Sequence, residues 1–208
     1  VRGTILNVPN MLRNLNNNFV TVCHPILDNK KIFQIYPLDI KKINIKENLK
    51  IIYMSRINIE TNEDEKNIWE QYKSQILKDF TTIDNREFLE TITINATSKE
   101  KKLDFYRKLK LLLRFEIIKI LKKHFNKKLN LVGSDWNLHS IESSPSNYNI
   151  KDNKKMYEGN ICLDLGCIEG SSSLYSRSNQ IIESGGLIVQ SFQSDAGEIW
   201  GDLQNKIL

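Results

Sequence analysis

Cysteine is scarce in this chain, and its scarcity removes two ways of holding a fold together. Cys23, Cys162 and Cys167 are the three cysteines among 208 residues. An odd count does not make a disulfide framework, and no pair has the spacing of a structural zinc site. Free thiols in a reducing cytoplasm are expected, and neither a metal nor a cofactor is implied. Long apolar runs are missing too. No stretch reaches the ~18 residues that suggest a membrane span, and the N-terminus lacks the pattern of a secretory signal. The expectation is a cytoplasmic protein with no membrane span.

What is present suits a globular core. Apolar residues make up 40% and charged residues 26% of the sequence, which at this length suits one good domain, or one domain plus a fragment of another. The formal charge is +5, from 30 Lys and Arg against 25 Asp and Glu. Lys, Asn and Ile are abundant throughout, so this excess supports an anionic ligand only loosely. The chain starts at Val1 and stops at Leu208 just after a helix begins, which reads as a fragment truncated at both ends.

Hydrophobic periodicity alternates between strand and helix along the chain. Leu49–Arg56, Leu129–Gly133, Ile161–Gly166 and Leu187–Gln190 are short apolar runs closed by glycine or polar residues, as buried strands are. Between the first two, Asn62–Phe80 carries Ile68, Trp69, Tyr72, Ile76 and Phe80 at helical steps. Asp84 and Glu87 form a variant capping box that opens a short helix. Lys99–Phe125 is the longest helix, with Tyr106, Leu109, Leu113, Ile117, Ile120 and Leu121 as a stripe toward the sheet and lysines around it. Residues 138–156 are polar and read as a mobile loop near the strand ends. Upstream, Phe19–Cys23 and Lys31–Tyr36 read as two further strands, with a turn at His24-Pro25. Cys23 and His24 do not make a catalytic pair, because adjacent strand residues point to opposite faces. Four strands alternating with helices predict an α/β fold, a Rossmann-like parallel sheet flanked by helices.

Ligands bind such sheets beyond the carboxyl ends of the strands, and the third strand leads there into a small, polar loop. Ser171, Ser172 and Ser173 can cap the following helix, on which Leu174, Ser178, Ile181 and Ile182 share a face. Gly185-Gly186 ends it where a left-handed residue is wanted. A helix N-terminus with free N–H groups attracts anions, and Arg177 one turn in adds a forked cation for a phosphate. The same residues also make a plain capped helix with a solvated arginine. Arg56, at its strand end, either approaches the same phosphate or is solvated. Gly133 lets a ligand approach the backbone closely, and Trp136 either lines a pocket or anchors its loop.

The segment YSRSNQIIESGGLIVQSFQSDAGEIW resembles the nucleotide-sugar half of GT-B glycosyltransferases, of the group 1 class and its spore-maturation-type relatives. The matching parts are the strand Ile161–Gly166, the helix Ser171–Ser184 with Arg177, Gly185-Gly186, Leu187–Val189 and the helix end Glu198–Trp200. Earlier, Leu129–Gly133 with Trp136 follows the same family's helix, strand and Gly-x-x-Trp order. The resemblance covers about a quarter of the chain well. It implies one GT-B half: residues 1–46 end a preceding acceptor domain and cross over, and 47–208 form the donor-binding domain. It implies a nucleotide-sugar donor held by Arg56, Gly133, Ser171, Ser172, Ser173, Arg177, Gln180 and Glu183, without a metal. The acceptor is a sugar, lipid or protein, and its catalytic base belongs to the missing N-terminal domain. One departure is clear. The family's ribose-binding glutamate falls on Gln180, its second acid falls on Ser172, and the nearest acid is Glu183. Two other classes stay open: a non-catalytic nucleotide- or sugar-binding module, and a basic nucleic-acid-binding protein resting on Lys99–Phe125. No nucleic-acid motif accompanies that helix, so no nucleic-acid partner is expected.

Overall fold

Two strands open the described chain. In the computed structural model, which describes residues 19–23, 30–34, 45–96, 98–146, 149–166 and 176–191, β1 (Phe19–Cys23) pairs antiparallel with β2 (Lys30–Gln34). The four downstream apolar runs become β3 (Ile51–Met54), β4 (Leu129–Val132), β5 (Ile161–Asp164) and β6 (Leu187–Gln190). They form one parallel sheet in the order β4-β3-β5-β6. All four residues of β3 are buried, as a central parallel strand covered on both faces requires. The α/β, Rossmann-like architecture expected from the alternation of periods is the one observed.

The helices correct the sequence reading in instructive places. α1 spans Glu63–Lys78 and starts in a capping box: Asn62 Oδ1 accepts from the Glu65 N–H and Glu65 from the Asn62 N–H, both at 2.9 Å. It stops two residues before Phe80 because Asp79 accepts the Thr81 N–H at 2.9 Å and starts a 3-10 turn, Phe80–Asp84. Phe80 thereby leaves the stripe and is exposed. The next helix, α2 (Arg86–Ile92), is capped by Asn85 rather than by Asp84. Asp84 instead accepts the Tyr106 hydroxyl at 2.8 Å and pairs with the Lys110 ammonium at 2.7 Å. Residues 138–156 do not form a loop throughout: Asn149 caps α4, Ile150–Tyr157. α5 spans Ser176–Glu183.

α3, Lys99–Phe125, has the expected bounds but not the expected single stripe. Tyr106, Leu109 and Leu113 pack outward, against Trp69, Ile76, Ile83, Leu89 and Ile92 of α1, the 3-10 turn and α2. Ile118, Phe115 and Leu121 pack inward, against Ile51, Tyr53, Leu129, Leu131 and Leu163 of the sheet. Leu109 and Ile118 are two and a half turns apart, so they point to opposite sides of the helix. A helix between two layers needs two apolar faces, and Ile120, on neither, is exposed. The other face of the sheet is covered by α4 and α5, through Tyr157 and Ile181 against Ile52, Met54, Val132, Cys162 and Ile188.

The Asp84–Lys110 pair ties the outer helical layer to α3, and both side chains are largely buried, 19% and 11% exposed. Removing one partner strands a charge away from water. Asp84→Ala should therefore cost about 3 kcal/mol in urea unfolding. Adding Lys110→Met should recover more than half of that loss.

Candidate functional site

The sheet places β3 centrally, sends the chain first to β4 on one side and then to β5 on the other. Chain order thus reverses between β3 and β5, and their carboxyl ends flank the crevice that binds ligands in such sheets. Several described side chains converge there.

Asp164, the last residue of β5, is fully buried. A carboxylate out of water must be hydrogen-bonded, and this one is held twice. Its Oδ2 accepts the Ser178 hydroxyl, and its Oδ1 accepts the Gly166 N–H at 3.1 Å. Ser178 lies in the first turn of α5, so the bond fixes the start of that helix against the strand end. The Gly166 carbonyl accepts from Arg114 Nη2, reaching across from α3. The peptide that begins the loop after β5 is thus pinned from both faces of the sheet.

Arg177 is next to Ser178 and half-buried. It reaches the Tyr157 hydroxyl, which in turn donates to Met54 Sδ at 3.2 Å. Met54 is the last residue of β3. Arg177 therefore sits over the carboxyl ends of β3 and β5, where the chain order reverses. Burial pushes the Tyr157 phenol from 10.0 up to about 12, with the neighbouring Arg177 pulling the other way. Burial also pushes the Cys162 thiol, one strand deeper, from 9.0 up to about 12. Tyr157 and Cys162 are thus neutral packing and hydrogen-bonding groups at ordinary pH.

The remaining predicted residues divide. Arg56 projects from the end of β3, with its Nε 2.6 Å from Asp135 Oδ2 on the loop after β4. Its side chain is 69% exposed, and pairs of this kind contribute ~0.2–1 kcal/mol, which holds Arg56 at the rim without locking it. Gly133 serves the backbone: a Cβ there would lie 1.8 Å from the Ser55 carbonyl oxygen. Trp136 anchors its loop, since it is fully buried and its Nε1 donates to the Ser55 carbonyl at 2.6 Å. Gln180 is half-buried, and its carbonyl accepts from Ser184 Oγ. Glu183 pairs with Lys154 of α4 at 3.0 Å, which spends its charge on helix packing at the far end of α5. Ser171, Ser172, Ser173 and the segment Glu198–Trp200 lie outside the described residues. The helix end at Gly185 is as expected, with φ +72° and the Gly186 N–H closing onto the Ile181 carbonyl at 3.0 Å.

No protein-family model matches this chain, and no curated protein or solved structure matches it. The site is read from its own groups. Asp164, Tyr157 and Arg114 were missed from the sequence, although an acid inside ICLDLG and an arginine inside LLLRF are each out of place in a buried run. Such residues announce a buried polar contact; the partner is visible only once the chain is folded. On the α3 side, a cavity of about 290 Å³ lies beyond the ends of β5 and β6, between Asp84, Lys110, Arg114, Leu165 and Ser191. Among the described residues, no cluster of three or more His, Cys, Asp or Glu is placed to hold a metal.

Two outcomes check this account. Gly133→Ala should destabilise the domain by about 3 kcal/mol or more, since backbone rather than a flexible side chain must move. The second concerns alkaline pH. Tyr157 and Cys162 keep their protons in the folded state up to about 12, whereas the unfolded chain loses them from about 9 upward. The folded state then binds more protons, so stability is full below that point and falls as pH rises toward 12. Tyr157→Phe and Cys162→Ala should each make the fall shallower in denaturant titrations repeated across this range. An unchanged slope in both would contradict the assignment.

Proposed function

We propose that this chain is the nucleotide-sugar-binding half of a GT-B glycosyltransferase, with the donor at the carboxyl ends of β3 and β5. The observation that carries the reading is the placement of Arg177. It stands in the first turn of α5, directed through Tyr157 to the end of β3, at the switch in strand order where nucleotides bind. The start of a helix and a forked guanidinium together suit a diphosphate. They would neutralise the charge that develops on the diphosphate as the glycosidic bond breaks, so the transfer requires no metal at this half. Arg56 at the opposite rim supplies a second cation within the same crevice. Gln180 would accept a ribose hydroxyl through its amide oxygen, more weakly than a carboxylate does. The general base for the acceptor belongs to a preceding domain.

Gln180 and Ser172, standing where the resembling family has acids, favour a second reading: a module that binds the donor without transferring it. Turnover of a nucleotide sugar, by transfer or slow hydrolysis, separates the two.

Calorimetric titration with nucleoside diphosphates tests the site shared by both readings. Arg177→Ala should weaken binding by ~1.5–3 kcal/mol, or ten- to a hundredfold. Arg177→Lys should recover only part, because an ammonium lacks the planar fork. Glu183→Gln should matter little, since that carboxylate is engaged by Lys154. Equal affinities in wild type and Arg177→Ala, with folding verified by circular dichroism, would remove Arg177 from the site.

A further inference from the structure

The opposite end of the sheet has its own chemistry. From Lys119 to Lys128 the chain reads KILKKHFNKK, with five lysines, one histidine and no acid. Lys119 is engaged by Glu116 at 3.2 Å and lies over the Phe115 ring. The other four lysines have no acidic partner among the described residues. Asn126 ends α3 at a positive φ of 33°, and Lys123 through Lys128 are all exposed. The sheet adds to the cluster: Leu129 lies opposite Ile51, so Lys128 and Lys50 flank each other at the amino ends of β4 and β3. Lys46 is nearby, its N–H donating to the Gly159 carbonyl just before β5 at 3.1 Å. Among the described residues, these six exposed or acid-free lysines face two exposed acids at the same end, Glu47 and Glu158. Large apolar side chains are exposed beside them: Phe125 at 43%, Ile120 at 46% and Ile45 at 67%.

We propose that this amino-end surface docks the protein on anionic phospholipid bilayers. A polyphosphate backbone read by a protein calls for planar arginine forks and aromatic platforms for bases. Among the described residues of the patch there is no arginine, and its exposed rings are those of Phe125 and His124. A bilayer asks for less geometry. It needs several positive charges close to its negative surface and a few apolar side chains able to enter the headgroup boundary. Lys50, Lys122, Lys123, Lys127 and Lys128 meet the first requirement, and Phe125, Ile120 and Ile45 the second. The surface lies at the strand ends opposite Arg177, so docking leaves the carboxyl-end crevice uncovered. The inference does not depend on what that crevice binds.

The test is co-sedimentation of the full chain with vesicles of phosphatidylcholine alone, and of phosphatidylcholine with about a third phosphatidylserine. Binding should be at least about tenfold stronger to the anionic vesicles and should fall steeply with salt. Each lysine near the surface contributes about fivefold, so K122E/K123E/K127E/K128E should weaken binding by roughly a hundredfold or more. Phe125→Ser should weaken it several-fold while leaving the salt dependence unchanged. A control, K99E/K101E/K102E, sits at the other end of α3, about 40 Å away along its 27 residues, and should change binding less than about threefold. Circular dichroism verifies folding of each variant, and all the charge substitutions but Lys122 and Lys102 fall on exposed positions. Equal binding to neutral and anionic vesicles would overturn the proposal. So would equal losses from both charge variants, or tighter binding to a single-stranded oligonucleotide than to the anionic vesicles.

Discussion

The buried carboxylate of Asp164 is the constraint on which the carboxyl end of the sheet depends. Fully removed from water, it is tolerable only while its oxygens are occupied. Its two side-chain contacts lie on different segments, the Gly166 amide and the Ser178 hydroxyl. Its own carbonyl accepts the Ser191 N–H at 2.9 Å, which carries the ladder past the end of β6. One residue thus sets the start of a loop, the start of a helix and the exit of the neighbouring strand. Arg177 is positioned because the residue beside it is bonded to that carboxylate.

A second constraint acts from the other face. α3 lies between the sheet and a layer of shorter helices, so it cannot keep its charged residues on one solvated side. Lys110 and Arg114 are consequently buried on it, and each needs an oxygen. Lys110 finds Asp84, which is why that acid is not available to cap α2. Arg114 finds the Gly166 carbonyl. The outer helical layer and the loop after β5 are linked through neighbouring turns of one helix.

How much of this was legible in the sequence follows from the range of each interaction. The strands and α3 were read with nearly correct bounds because periodicity and caps are local properties of the chain. Gly185 ended its helix as expected for the same reason, whereas the Asn62–Glu65 capping box, equally local, went unread. The misread elements were those decided by distant partners. Asp84 looked like a cap until Tyr106 and Lys110, on another helix, claimed it. The single stripe assigned to α3 missed the inward face because both faces of a sandwiched helix are apolar, and one period does not separate them. α4 was read as loop since IKDNKKMY carries four charges in eight residues. At the candidate site, Arg177 was singled out through its place in a loop-to-helix pattern. Tyr157 and Asp164 were not, because each acts through residues far along the chain.

The two ends of α5 show how a short helix divides its tasks. Its first turn holds Arg177 and Ser178, both directed at the strand ends. Its last turn is committed to packing: Ser184 bonds the Gln180 carbonyl, Glu183 pairs with Lys154, and Gly186 lies against Tyr157. The acid nearest the expected ribose position is therefore already neutralised by α4, and it lies almost two turns beyond Arg177. A carboxylate at position 180 would face a different balance. Half-buried and one turn from Arg177, it would compete for the same guanidinium with the diphosphate proposed to bind there. A neutral amide there offers an oxygen to a hydroxyl without that competition. On the proposed reading, a glutamine where the resembling family has glutamate would weaken one contact to the sugar side of a nucleotide without adding a competitor for Arg177.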